Sequence, residues 1–174
     1  MLVPPTLPDA TTVRLAAGDL GRLSRLCLSC SGFYELVEGR PASDATAAET
    51  LGPLAPQYGA CAKHVFAVAK GGDLIAVTEL LQGHPSAREW YIGLLLVDPE
   101  HRRRGLGARL CAATIDWIGG HDGVIVRLVV QQQNPEAREF WERQSFHMER
   151  EMVKQSGRLE NLVWILARHP KGAG

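Results

Sequence analysis

The stretch VDPEHRRRGLGARL, residues 97–110, joins two apolar runs of different period. The run before it, EWYIGLLLV (Glu89–Val97), reads as a buried strand in which Gly93 marks a bulge or a close backbone approach. After it, Leu106, Leu110, Ala113 and Trp117 recur at helical spacing until Gly119 and Gly120 stop the helix. Arg102, Arg103 and Arg104 stand just ahead of the first helical turn, the end at which the macrodipole disfavours positive charge. A helix start preceded by glycines offers unpaired backbone N–H groups and so makes an anion site. Gly105 and Gly107 let phosphates approach the backbone, and three arginines there suit a helix that faces a polyphosphate. The ATP loop G-x-x-x-x-G-K-S/T is absent. The dinucleotide fingerprint fails as well, because Leu110 takes its third glycine and seven residues separate strand from first glycine.

Working outward, residues 13–15 read as a first strand, and Asp19 as the N-cap of a helix running to about Ser29. The segment SGFYELVEGRP reads as a loop, followed by a helix over Asp44–Leu51. HVFAVAKGGDLIAVTELL reads as two strands around a Gly-Gly-Asp turn, and GVIVRLVV as another buried strand. Asn134 and Pro135 open a helix as N-cap and first residue, with Ala137, Phe140 and Trp141 inward. Two closing strands, near residues 146–153 and 162–168, flank a turn at QSGR. The order is strand, two helices, three strands, helix, strand, helix, two strands. It predicts an α/β chain with a mixed sheet and helices on its faces. No linker divides it, so residues 1–174 are expected to form one domain, with residues 1–11 a flexible N-terminal segment.

The chain has 174 residues, 19 basic and 19 acidic, with 45% hydrophobic. That neutral balance argues against a nucleic-acid surface or an electrostatic membrane anchor. No apolar run approaches the roughly 20 residues of a membrane helix, and the first residues lack the pattern of a secretion signal. A cytoplasmic location is expected. Cys27-x-x-Cys30 and Cys61-x-x-His64 have ligand types and spacings that zinc accepts. However, Cys27 and Cys30 fall on the apolar helix face of Leu23 and Leu26, where cysteine packs as a small hydrophobe, and no metal is expected.

Arg102-x-x-Gly105-x-Gly107, directly after LLLVDPEH, resembles the Q/R-x-x-G-x-G/A motif of the GNAT family of N-acetyltransferases. NPEAREFWERQSF resembles that family's second block, N-x-x-A-x-x-F-Y-x-x-x-G-F. The resemblance implies a mixed sheet splayed between its fourth and fifth strands, and acetyl-CoA as the bound cosubstrate. It assigns the pyrophosphate to backbone N–H groups of Arg103, Arg104, Gly105, Leu106, Gly107 and Ala108, with a side chain from Arg102, Arg103 or Arg104. It lays the pantetheine arm beside Leu95, Leu96 and Val97, and sets Asn134 near the thiol end. By analogy with other members, a homodimer is expected.

The implied activity is acetyl transfer to a primary amine by direct attack in a ternary complex. It needs a base for the amine, a donor for the oxyanion and an acid for the thiolate. The family's usual acid, the tyrosine of F-Y, is Trp141 here, and an indole cannot deliver a proton. The carboxylate often found in the middle of the fourth strand is replaced by Gly93, and the glutamate typical of the ribosomal-protein N-terminal acetyltransferases by Val129. Glu79 on the third strand is the first candidate base, and Tyr91 the candidate acid. Phe33, Tyr34, Glu35 and Trp90 are candidate substrate contacts, since aromatic walls with carboxylates suit a small cationic amine or a peptide amine. The alternative reading is a non-catalytic acyl-CoA-binding sensor of the same fold. Transfer to a hydroxyl, or of a longer acyl chain, stays open.

Overall fold

A computed structural model of the chain describes residues 3–170. Its strands are β1 (Thr11–Arg14), β2 (Ala62–Lys70), β3 (Asp73–Gln82), β4 (Glu89–Val97), β5 (Ile125–Gln131), β6 (His147–Ser156) and β7 (Leu159–Arg168). Its α-helices are α1 (Leu20–Ser29), α2 (Ser31–Glu38), α3 (Asp44–Leu51), α4 (Leu106–Gly119) and α5 (Pro135–Arg143). The strands form one sheet in the order β1-β2-β3-β4-β5-β7-β6. Every pairing is antiparallel except β4 with β5.

The apolar runs sit where both faces are covered. On one face Leu23, Leu26 and Cys27 of α1, Tyr34 of α2 and Ala47 of α3 pack on Val65, Val77 and Leu96. On the other, Ile115 and Ile118 of α4 and Trp141 of α5 pack on Phe66, Trp90, Leu128 and Leu166. β6 closes one edge and is exposed along most of its length, with charged side chains that discourage further strand addition.

Two expectations are corrected. The segment read as a loop contains the helix α2, which turns Tyr34 and Val37 inward and ends at Gly39 in the left-handed conformation, φ 68°. Three α-helices thus precede β2 among the described residues. Of the N-terminal segment expected to be flexible, residues 1 and 2 lie outside the described residues and the rest is packed on the body. Leu7 is buried with Leu106 and Leu110, Trp117 Nε1 donates to the Val3 carbonyl at 2.7 Å, and Asp9 pairs with Arg109.

One break in the sheet matters for function. β4 and β5 pair only from Glu89 opposite Ile125 to Tyr91 opposite Arg127. Beyond that, β4 keeps only β3 and β5 keeps only β7, so the two parallel strands part towards their C-terminal ends. In an open α/β sheet such a crevice is the usual place for a ligand.

Candidate active site

The crevice begins at the start of α4. Asp98 Oδ1 accepts from the Glu100 N–H at 2.9 Å, and Ser29 Oγ donates to Asp98 Oδ2 at 2.8 Å, which ties the loop after β4 to the end of α1. Gly105 precedes α4 with φ 76°, a conformation that strains any side chain. A Cβ there would meet nothing within 4 Å, so the space above it is open. A Cβ on Gly107 would only touch Phe140 and Val97 at 3.5 Å, which is ordinary contact. Gly105 is therefore demanded by the backbone, whereas alanine fits at 107.

The three arginines divide. Arg102 Nε donates to the Val97 carbonyl at 2.9 Å and its Nη2 lies 3.5 Å from Cys30 Sγ, so it braces the exit of β4. Arg103 and Arg104 are exposed and make no ion pair among the described residues. Arg103 itself has φ 57°, so two residues of the turn before α4, Arg103 and Gly105, are left-handed.

Along β4 the three expected cofactor positions differ. The Asp98 N–H donates to the Ile75 carbonyl at 2.9 Å, and Val77 stands opposite Leu96. Antiparallel alternation then turns the N–H and C=O of Leu96 towards β3, and those of Leu95 and Val97 to the open side. Leu96 is thus corrected from a backbone contact to a core residue, 3% exposed. The Val97 carbonyl is already taken by Arg102.

The register of β3 on β4 slips between Glu79 opposite Leu94 and Leu80 opposite Ile92, leaving Gly93 as the extra residue of a bulge. The side chain of Glu79 fills the space this leaves. A Cβ added to Gly93 would lie 2.8 Å from Glu79 Oε1. Burial pushes the Glu79 carboxyl above the usual range, only partly opposed by the charge of Lys63. Burial, then the Glu79 charge, raises the Tyr91 phenol, so it holds its proton. Lys154 Nζ reaches across from β6 to 3.3 Å from Tyr91 Oη. The His84 ring stands edge-on to Tyr91, centroids 5.7 Å apart, and Tyr58 stands edge-on to His84 at 5.3 Å.

Over residues 33–146, well over half of its length, the sequence matches the profile described as Acetyltransferase (GNAT) family. The chain belongs to that family. The splayed sheet agrees with solved structures of similar fold. It superposes on a Vibrio cholerae spermidine N-acetyltransferase in complex with CoA and spermine with TM-score 0.71 and 21% identity, covering 96% of this chain and 99% of that one. The ribosomal-protein-S18-alanine N-acetyltransferase of Escherichia coli gives 0.68 at 20% identity, covering 94% and 96%. An acetyltransferase of Thermus thermophilus gives 0.69 at 21%, covering 91% and 97%. Comparison with curated proteins by sequence returned no match.

Against the GNAT pattern the remaining residues fall as follows. Trp141, at the usual tyrosine position, is buried between Phe140 and Phe146 with ring centroids 5.0 and 5.2 Å away, so it is a core residue. Asn134 caps α5, its Oδ1 accepting from the Ala137 N–H at 3.2 Å. Two substrate expectations are corrected. Trp90 is 1% exposed against Trp117, because alternation points Trp90 to the α4 face and Tyr91 to the other. Tyr34 is buried and its hydroxyl donates to Cys27 Sγ at 3.5 Å. Phe33 is half-buried on the same core, and Glu35 is exposed on α2 with Ser31 as its partner.

Cys27 and Cys30 are buried, Cys61 Sγ donates to the Gly83 carbonyl, and His64 pairs with Gln82. Among the described residues no group of three or more His, Cys, Asp or Glu could hold a metal, and no helix is long and apolar enough to cross a membrane. Burial pushes the Cys111 thiol up to about 12, which leaves it without nucleophilic thiolate near neutrality. Sequence reasoning missed Tyr58 and Lys154. Neither lies in a motif, and Lys154 meets Tyr91 only through a contact 63 residues apart in the chain.

Proposed function

We propose that this chain is an acetyl-CoA-dependent N-acetyltransferase of the cytoplasm, moving acetyl to a primary amine by direct attack in a ternary complex. The observation that carries the reading is continuity. The open edge of β4 runs from the phosphate-facing start of α4 to the bulge at Gly93, where Glu79 waits.

The residues fit the cosubstrate. Open space above Gly105 and the unpaired N–H groups of the first turn of α4 suit a pyrophosphate. Arg103 and Arg104 add charge without internal competition, while Arg102 holds the loop. The Leu95 backbone and the Val97 N–H suit a pantetheine arm lying like an added strand. Acetyl-CoA supplies the acetyl group as an activated thioester. An alkylamine with a pKa of about 10.4 must first lose a proton. Glu79 takes it, and its raised carboxyl pKa narrows the gap across which the proton moves. Tyr91 is the candidate proton donor to the thiolate; burial keeps it protonated and also makes it the weaker partner of the pair.

Release of free thiol from acetyl-CoA across a panel of amines tests this. Amine-dependent release is expected, and binding of acetyl-CoA with no release by any amine would favour the sensor reading. Replacing Arg103 and Arg104 together by alanine is expected to weaken CoA binding about tenfold at low salt. Charge-assisted contacts are worth ~1.5–3 kcal/mol each at full strength, and exposure and salt reduce them. Titration calorimetry at two salt concentrations checks it, and a flat salt response in the wild type would remove the arginines from the phosphate site.

A further inference from the structure

The sequence suggested that aromatic walls with carboxylates would suit a small cationic amine or a peptide amine; in the structure Glu35 is exposed with only Ser31 as its partner, and several other carboxylates are paired internally. Glu38 pairs with Arg40 at 3.0 Å, and Arg40 also holds Glu49 at 3.0 Å. Glu89 and Glu149 both pair with Arg127, the latter at 2.8 Å. Glu151 accepts from Trp164 Nε1 at 2.9 Å. Glu79 carries no ion pair among the described residues, and it is the group assigned to the amine.

The cation that meets Tyr91 is Lys154. Its ammonium makes no ion pair among the described residues, and it is half-buried at the mouth of the crevice. It lies 3.3 Å from Tyr91 Oη and 5.6 Å from that ring's centroid. Holding a long lysine side chain there costs rotamer entropy that one neutral hydroxyl offsets poorly. His84 faces the same ring, and burial together with the Lys154 charge lowers its pKa, so it adds no second cation near neutrality. Two residues along β4, about 7 Å at strand rise, Glu79 covers Gly93. A carboxyl group over Gly93 and an ammonium at the Tyr91 hydroxyl thus stand at alternate positions of one strand. His84, edge-on to Tyr91, also lines an open depression of about 660 Å³ formed by residues 57–62 and 82–87.

We infer that the acceptor is a small amine that also carries a carboxylate, its nitrogen directed to Glu79 and its carboxylate to Lys154. The inference rests on the acetyltransferase reading for the nitrogen end, while the carboxylate end stands on Lys154 alone. A polyamine would instead bring a second positive charge against Lys154.

The experiment compares acetyl transfer to the standard amino acids, to their carboxamides and to putrescine, in wild type, Lys154→Gln and Lys154→Glu. Wild type is expected to favour at least one free acid over its carboxamide by tenfold or more in kcat/KM. Lys154→Gln should erase that ratio mainly through KM, and Lys154→Glu should reverse it. Equal use of acid and carboxamide by wild type, preference for putrescine, or an unchanged ratio in Lys154→Gln would overturn the inference. Should no amine release thiol, the acetyltransferase reading fails, and calorimetric binding of N-acetyl amino acids against their carboxamides still decides the carboxylate end. Equal binding of acid and carboxamide by wild type, or binding that Lys154→Gln leaves unchanged, would sink it.

Discussion

Glu79→Gln is expected to lower kcat/KM by a factor between roughly 10² and 10⁴, the usual worth of a positioned general base. Glutamine keeps the shape of the side chain over Gly93 and removes only its capacity to take a proton. The wild-type pH profile should rise through a pKa above the ordinary carboxylate range, because burial raises that of Glu79. The variant should lose that limb. Stability should move the other way. A carboxyl whose folded pKa is raised contributes fully below its unfolded pKa, about 4.3, and that contribution is lost as pH rises through the folded value. Glutamine, which never ionises, should therefore melt higher than wild type at neutral pH, with the difference vanishing in acid. Thermal melts at pH 7 and pH 4 check the sign. A variant with full activity and an unchanged pH profile would remove Glu79 as the base.

Much of this architecture was legible because it rests on local rules. The period change across residues 97–110 marked β4, the loop and α4, and the glycine in EWYIGLLLV marked the bulge at its position. The helix α2 escaped because Ser31, Gly32, Gly39 and Pro41 punctuate it like a loop, although a glycine followed shortly by a proline is also how a helix ends. Its eight residues are too few to form a stable helix alone, so packing of Tyr34 and Val37 decides its state. The site was half legible. Backbone conformation follows from motif spacing, so the glycine turn that opens α4 could be placed. Which neighbour points into the crevice depends on strand parity and register, and this separates Trp90 from Tyr91 and Leu96 from Leu95. No pattern in the sequence encodes the meeting of Lys154 with Tyr91, which needs β5, β7 and β6 to be laid side by side.

Gly93→Ala is expected to cost roughly 10² in kcat/KM while leaving the melting temperature close to wild type. The new methyl would stand 2.8 Å from Glu79 Oε1, inside contact distance. What must yield is the far end of a flexible side chain, so the fold loses little. The carboxylate, however, moves by an ångström or so, a misplacement that can cost about 10²-fold where proximity governs the rate. If the two substitutions act on one group, Gly93→Ala should add almost nothing to Glu79→Gln, and a double-mutant cycle measures that coupling. The geometry also makes a stronger demand. Glu79 reaches from β3 into the space where a side chain on β4 would stand, so the crevice requires a carboxylate there more than it requires β3 to supply it. Glu79→Ala combined with Gly93→Glu should recover at least tenfold over Glu79→Ala alone. Wild-type rates in Gly93→Ala together with no recovery in the swapped pair would show that the carboxylate over the bulge fills space and takes no proton.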